Sequence, residues 1–133
     1  MEFDKTTQDA LKLIHEGNHI IFREVGRVCE KYHLNYFLDS GNLIGAVREK
    51  SDIPWDDDAD IAMTRKDFEV FRKVARTELK DGFVYVEPDE LNGAFYDFVP
   101  RVVMLDSTMR ENNAEQKYYG NGIHNHMRTD IFI

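Results

Sequence analysis

Between Ile53 and Thr64 the chain reads IPWDDDADIAMT, and Asp56, Asp57, Asp58 and Asp60 fall within five positions. Carboxylates that close repel one another. The repulsion becomes useful where a divalent cation sits among them, since Mg2+ is typically held by one or two carboxylates together with substrate phosphates. The spacing Asp58-Ala59-Asp60-Ile61 suits that use. In a strand, side chains alternate, so Asp58 and Asp60 point one way while Ala59 and Ile61 point into a core. A helix would turn residues two apart to different sides. A solvated acidic loop is the plain alternative, but Ile-Pro-Trp before the run and Ile-Ala-Met after it are unusual flanks for one. A calcium loop is another, with Asp56, Asp58 and Asp60 at its first, third and fifth positions and Asp67 at its twelfth. However, Ile61 stands where that loop needs glycine, Asp67 where it needs glutamate, and Pro54 where its incoming helix should run.

A second stretch, LDSGNLIGAVR at residues 38–48, places a Ser40-Gly41-Asn42 turn after a strand-like segment and ahead of a short apolar one. Glycine lets backbone approach a ligand, free N–H groups at a helix start bind phosphate oxygens, and Arg48 could add a phosphate contact. Most such turns are only turns; this one draws interest because the Asp-x-Asp segment follows some fifteen residues on. Asp56 and Asp57 suit either substrate contact or loop-shaping hydrogen bonds. Trp55 reads as a core or lid anchor. His124 and His126 have a spacing that suits a metal, but read more simply as exposed loop residues because no cysteine or third histidine is near. Arg101 could reach a phosphate or pair with an acid.

Positioning these groups requires elements of both kinds. Residues 7–32 carry Leu11, Ile14, Ile20, Ile21, Val25, Val28 and Cys29 at helical spacing, interrupted at Gly17-Asn18, which leaves one bent helix or two. Strands are expected at 35–39, 58–63, 83–87, 98–105 and 127–133, a short turn or helix at 41–47, and a loop at 107–122. Thr64 should cap a helix running to Leu79, with Asp67 at the capping-box position and Gly82 ending it. This order predicts an α+β (mixed α/β) fold: a small mixed sheet with helices packed on one face.

Composition bounds the rest. The 133 residues are 42% hydrophobic and 32% charged, as in a globular protein, and suffice for a single domain. The net charge of −8 argues against nucleic acid as a partner. The lone Cys29 reads as a buried, inert thiol. No signal-peptide pattern or transmembrane run is evident, so a cytoplasmic location is the simplest expectation.

Residues 36–71, YFLDSGNLIGAVREKSDIPWDDDADIAMTRKDFEVF, resemble the signature of the LicD family. That family usually shows Gly-Thr-Leu-Leu-Gly-Ala-Val-Arg, then Ile-Pro-Trp-Asp-Asp-Asp-hydrophobic-Asp-Ile. Asn42 stands where the family usually has threonine, keeping hydrogen-bonding ability with a different geometry. Lighter similarity covers the preceding helix and RVVMLDST at 101–108. The resemblance implies a nucleotidyltransferase-like fold, shared with fukutin and fukutin-related protein. Bacterial members transfer phosphocholine from CDP-choline to sugars of lipopolysaccharide or teichoic acid. For this chain it implies a transferase dependent on Mg2+ (or Mn2+), moving phosphocholine or a similar phospho-alcohol from a CDP-linked donor to a glycan hydroxyl. Asp58, Asp60 and a third acid, Asp130 in TDIFI, would form the metal site, with Asp130 alternatively acting as general base. Ser40, Gly41, Asn42, Arg48 and Asp57 would bind substrate phosphate. A small nucleotidyltransferase moving NMP to a protein or small molecule needs the same acids, and a non-catalytic binding domain could keep the fold. Family members are usually about twice this length. The resemblance therefore implies either an N-terminal portion that stops short of acceptor-binding elements or a degenerate short member, and in both cases a chain that transfers phosphocholine poorly or not at all on its own.

Overall fold

The structure, a computed structural model, describes residues 4–88, 99–105, 107 and 126–133. Helix α1 spans Lys5–Lys31. Asp4 caps it, its side chain accepting the Thr7 N–H at 2.8 Å. Ile21, Val25, Val28 and Cys29 form its fully buried stripe, at the spacing that keeps one helical face inward. Gly17 and Asn18 neither break nor divide α1; both are buried within it. A Cβ at Gly17 would lie 2.3 Å from Met127 Sδ, so the glycine seats the helix closely on a strand. Burial pushes the Cys29 thiol up to about 12, with the Asp67 charge adding to it, in keeping with an inert thiol.

After α1 come β1 (Phe37–Leu38), the five-residue helix α2 (Ser40–Ile44) and a π-helical turn, Gly45–Glu49. Then follow β2 (Asp60–Ala62), α3 (Arg65–Glu78), β3 (Phe83–Val86), β4 (Arg101–Met104) and β5 (Met127–Phe132). Strands β1 and β2 are shorter than the sequence pattern predicts, and Asp58 precedes β2 rather than lying in it. The predicted loop at 107–122 falls outside the described residues except for Ser107. Thr64 does cap α3, accepting the Asp67 N–H at 3.3 Å. The Asp67 carboxylate instead accepts the Asn35 N–H, leaving the capping box half formed. Helix α3 ends at Leu79, which turns extended, before Gly82. Gly82, at φ 97°, shapes the turn into β3.

The strand order is β1-β2-β5-β4-β3. Neighbours are antiparallel except β2 and β5, which run parallel. Helices α1 and α3 cover one face. Their apolar stripes meet Ile61, Met63, Tyr85, Val102, Met127 and Ile131 in the main core. Val84, Val86 and Val103 form a smaller cluster; strand alternation sets it on the opposite face. This is the expected α+β architecture with a mixed sheet. Among the described residues, no helix is long and apolar enough to cross a membrane.

Two glycines should respond differently to alanine. At Gly45 a Cβ would meet the Ser51 carbonyl oxygen at 2.5 Å and the Ile53 nitrogen at 3.2 Å, both backbone atoms that cannot step aside. Gly45→Ala is expected to lower stability by about 1–3 kcal/mol. At Gly17 the obstacle is the flexible thioether of Met127, and alanine brings up to about 1 kcal/mol of helix propensity. Gly17→Ala is therefore expected to remain within about 1 kcal/mol of the parent. Urea unfolding of both variants checks the contrast.

Candidate active site on the sheet face

The alternation expected of the acidic stretch is present: Ala59, Ile61 and Met63 are buried, and Asp58 and Asp60 lie to the other side. Pairing begins before β2 itself, because the Asp130 N–H donates to the Ala59 carbonyl at 2.9 Å. The parallel register sets Asp60 opposite Asp130. Asp58 lies two residues before Asp60, ahead of β2, and Arg128 two residues before Asp130 on β5. On the far side of β5, Arg101 lies opposite Asp130, and Val103 opposite Arg128. The face away from α1 and α3 thus carries one row of Asp60, Asp130 and Arg101, and beside it the Arg128–Val103 pair, with Asp58 just ahead of β2. Arg101 is buried, and its Nε stands 3.0 Å from Asp130 Oδ1.

The fold holds these acids at an electrostatic disadvantage. Asp60 is pushed up to about 6, first by desolvation and then by Asp130, Asp58, Asp56 and Asp39. Asp58 is also raised, by desolvation and by Asp57 and Asp56, against an opposing effect of Arg128. A divalent cation would relieve this repulsion, and an all-carboxylate donor set suits a hard ion such as Mg2+ or Mn2+. The tightest grouping differs from the predicted trio. Among the described residues, the carboxylates whose oxygens all lie within 4.8 Å of one another are Asp56, Asp57 and Asp58. Asp58 belongs to both sets. The calcium-loop alternative does not hold, because β2 intervenes and Asp67 sits in the first turn of α3.

The Ser40-Gly41-Asn42 turn supports the acids. Ser40 takes a left-handed φ of 49°. A Cβ at Gly41 would lie 1.8 Å from Asp56 Oδ2, so the glycine admits the acidic loop. Asn42 Oδ1 accepts the Asp60 N–H at 2.7 Å, and its Nδ2 donates to the Asp58 carbonyl at 3.4 Å. Both ends of this amide are thus used to fix the backbone that carries the two aspartates. Arg48, expected near phosphate, pairs with Glu49 at 2.7 Å and is exposed. Trp55 is 57% exposed, so it is not a core anchor; Ile53 is the buried flank. His126 contacts the Ser107 carbonyl through Nδ1, and His124 lies outside the described residues.

One support and one neighbouring charge were missed by the sequence reading. His15 Nε2 lies 2.6 Å from the Asp56 carbonyl oxygen, tying α1 to the acidic loop across 41 positions; no local pattern announces such a contact. Arg128 could have been found by counting two residues back from Asp130 along its strand.

The family profile described as LicD/FKTN/FKRP, nucleotidyltransferase domain, matches residues 33–100, just over half of the chain. That span contains the Ser40–Asn42 turn, Asp58 and Asp60; Arg101, Arg128 and Asp130 lie beyond it. The lipopolysaccharide cholinephosphotransferase LicD of Haemophilus influenzae is 50% identical over 44 residues, which is 33% of this chain and 17% of that protein. An uncharacterised protein of Rickettsia typhi is 33% identical over 54 residues, covering 41% of this chain and 18% of its own. One of Rickettsia prowazekii is 36% identical over 47 residues, covering 35% and 18%. Each matched stretch spans less than a fifth of the relative's length.

The raised Asp60 predicts a pH signature. Its folded value of about 6 exceeds the ordinary 3.8, so the folded state holds the proton more tightly than the unfolded chain. The resulting stability is present below about pH 4 and is lost as pH rises to about 6. Asp60→Asn removes that loss. Without divalent cations, the variant is expected to melt on the order of 2–6 °C above the parent at pH 7.5, the gap shrinking toward pH 4. Calorimetric melts at both pH values check it.

Proposed function

This chain belongs to the LicD family, and from that premise we propose that it serves a metal-dependent transferase moving a phospho-alcohol from a CDP-linked donor to a glycan hydroxyl. The observation that carries the reading is the parallel pairing of Asp60 with Asp130, with Asp58 two residues before Asp60, on the sheet face away from α1 and α3, and with Asp58 and Asp60 inside the stretch that matches the family. The H. influenzae relative is named for cholinephosphate transfer and lipopolysaccharide. Phosphocholine is accordingly the first group to test, and a lipopolysaccharide sugar the first acceptor. A cytoplasmic setting would suit a nucleotide-linked donor.

In this reading Asp58, Asp60 and Asp130 would hold Mg2+ or Mn2+, with Asp56 and Asp57 at the rim. A cation bound there supplies charge neutralisation for the diphosphate and for departing CMP. The rest falls to the chain's own residues. Phosphoryl transfer depends chiefly on positioning and charge stabilisation. Asn42 fixes the backbone at Asp58 and Asp60, and His15 fixes the loop before them, so the carboxylates need little reorganisation. The acceptor oxygen would bond to the phosphorus bearing the alcohol as that phosphorus parts from CMP. Asp130 would complete the cation's ligands or take the hydroxyl proton.

The test is incubation of the protein with CDP-choline, Mn2+ and a lipopolysaccharide acceptor, following CMP release and choline on the acceptor. Asp60→Asn is expected to lower transfer by about 10²–10³-fold. Nucleoside recovered on the acceptor would replace the phospho-alcohol reading with nucleotidyl transfer. Undiminished turnover in Asp60→Asn would remove the acid pair from the chemistry.

A further inference from the structure

Five charged groups lie on or beside this sheet face, and four have visible commitments. Arg101 is buried against Asp130 at 3.0 Å, and Asp58, Asp60 and Asp130 form the carboxylate side. Arg128 is the fifth. It lies two residues before Asp130 on β5 and so shares its face. It is partly buried. One cross-strand neighbour is Val103, which is apolar and cannot pair with it; on the other side the chain enters β2 through Asp58. Among the described residues, no hydrogen bond or ion pair engages its guanidinium.

We infer that Arg128 binds the phosphates of a diphosphate substrate beside the carboxylates. This rests on the reading of the site given under the proposed function. The charge balance supports it. With the rim acids Asp56 and Asp57 counted, five carboxylates and Arg101 together carry −4, and a divalent cation leaves −2. Arg128 halves that remainder, which lowers the repulsion an anionic diphosphate meets on approach. A guanidinium also offers a planar fork that matches two phosphate oxygens. Arg48, which the sequence put forward for this role, pairs with Glu49 on the exposed surface.

The inference gives opposite signs in two measurements on one variant. Arg128→Gln removes a cation near Asp58, so Mn2+ alone should bind a few-fold more tightly. With Mn2+ saturating, CDP should bind about 10- to 100-fold more weakly, as expected for loss of hydrogen bonds to a charged group. Inorganic pyrophosphate should weaken by the same factor, because the contact is to phosphate and not to the base. Arg128→Lys, keeping the charge without the fork, should fall between. Titration calorimetry reads all of these. Loss of Mn2+ and CDP binding together in Arg128→Gln would mean a structural role and overturn the inference. So would unchanged CDP affinity in a protein whose parent binds both ligands, and that result would leave the proposed function standing. A parent that binds neither Mn2+ nor CDP would overturn the proposed function and this inference with it.

Discussion

The parallel pairing of β2 with β5 is the constraint on which the site depends. It joins residues 70 positions apart, through the Asp130 N–H on the Ala59 carbonyl and the Met63 N–H on the Phe132 carbonyl, each at 2.9 Å. Asp60 and Asp130 are set side by side although their charges oppose it. On the other face of the same strands, Ile61 and Ile131 are paired in register and fully buried. Burying each isoleucine is worth roughly 1.5–3 kcal/mol, which anchors the register against the repulsion. Arg101 offsets part of the remaining charge. A slip of one residue would send the isoleucines to the face away from α1 and α3 and the carboxylates into the core, so the core selects the arrangement that the acids alone would avoid.

What the core aligns, the loops hold in place. The acidic loop is fixed from two directions, by His15 from α1 and by the Asn42 amide that spans the backbone at Asp58 and Asp60, while Gly41 leaves room for the Asp56 side chain. None of these spends a carboxylate of the Asp58–Asp60 pair. Supports that act through backbone atoms leave the charged oxygens for chemistry, and they hold the geometry before any ligand arrives.

Much of this was legible in the sequence because it is local. Alternation over residues 58–63 gives the facing of the acids, Thr64 gives the start of α3, and the Ile-Pro-Trp-Asp-Asp-Asp run points to the family. What was hidden depends on partners. Gly17 and Asn18 look like a break, since only Met127 across the core explains why a helix would keep a glycine there. Arg128 is absent from the local motif because only the pairing of β5 with β2 and β4 brings it near the acids, whereas Arg48 stands out because it follows the turn in sequence. Trp55 reads as an anchor by its size, yet the buried flank is Ile53. Periodicity tells which face a residue takes and is silent about which strand lies beside it.

The most direct measurement is paramagnetic broadening of backbone amide resonances by substoichiometric Mn2+. If Asp58, Asp60 and Asp130 hold the cation, amides of residues 58–60 and of residues 129–131 should broaden together, before those beside the acidic groups of α3. Broadening confined to residues 56–58, or spread evenly over the acidic surface with residues 129–131 spared, would contradict a metal site built across β2 and β5.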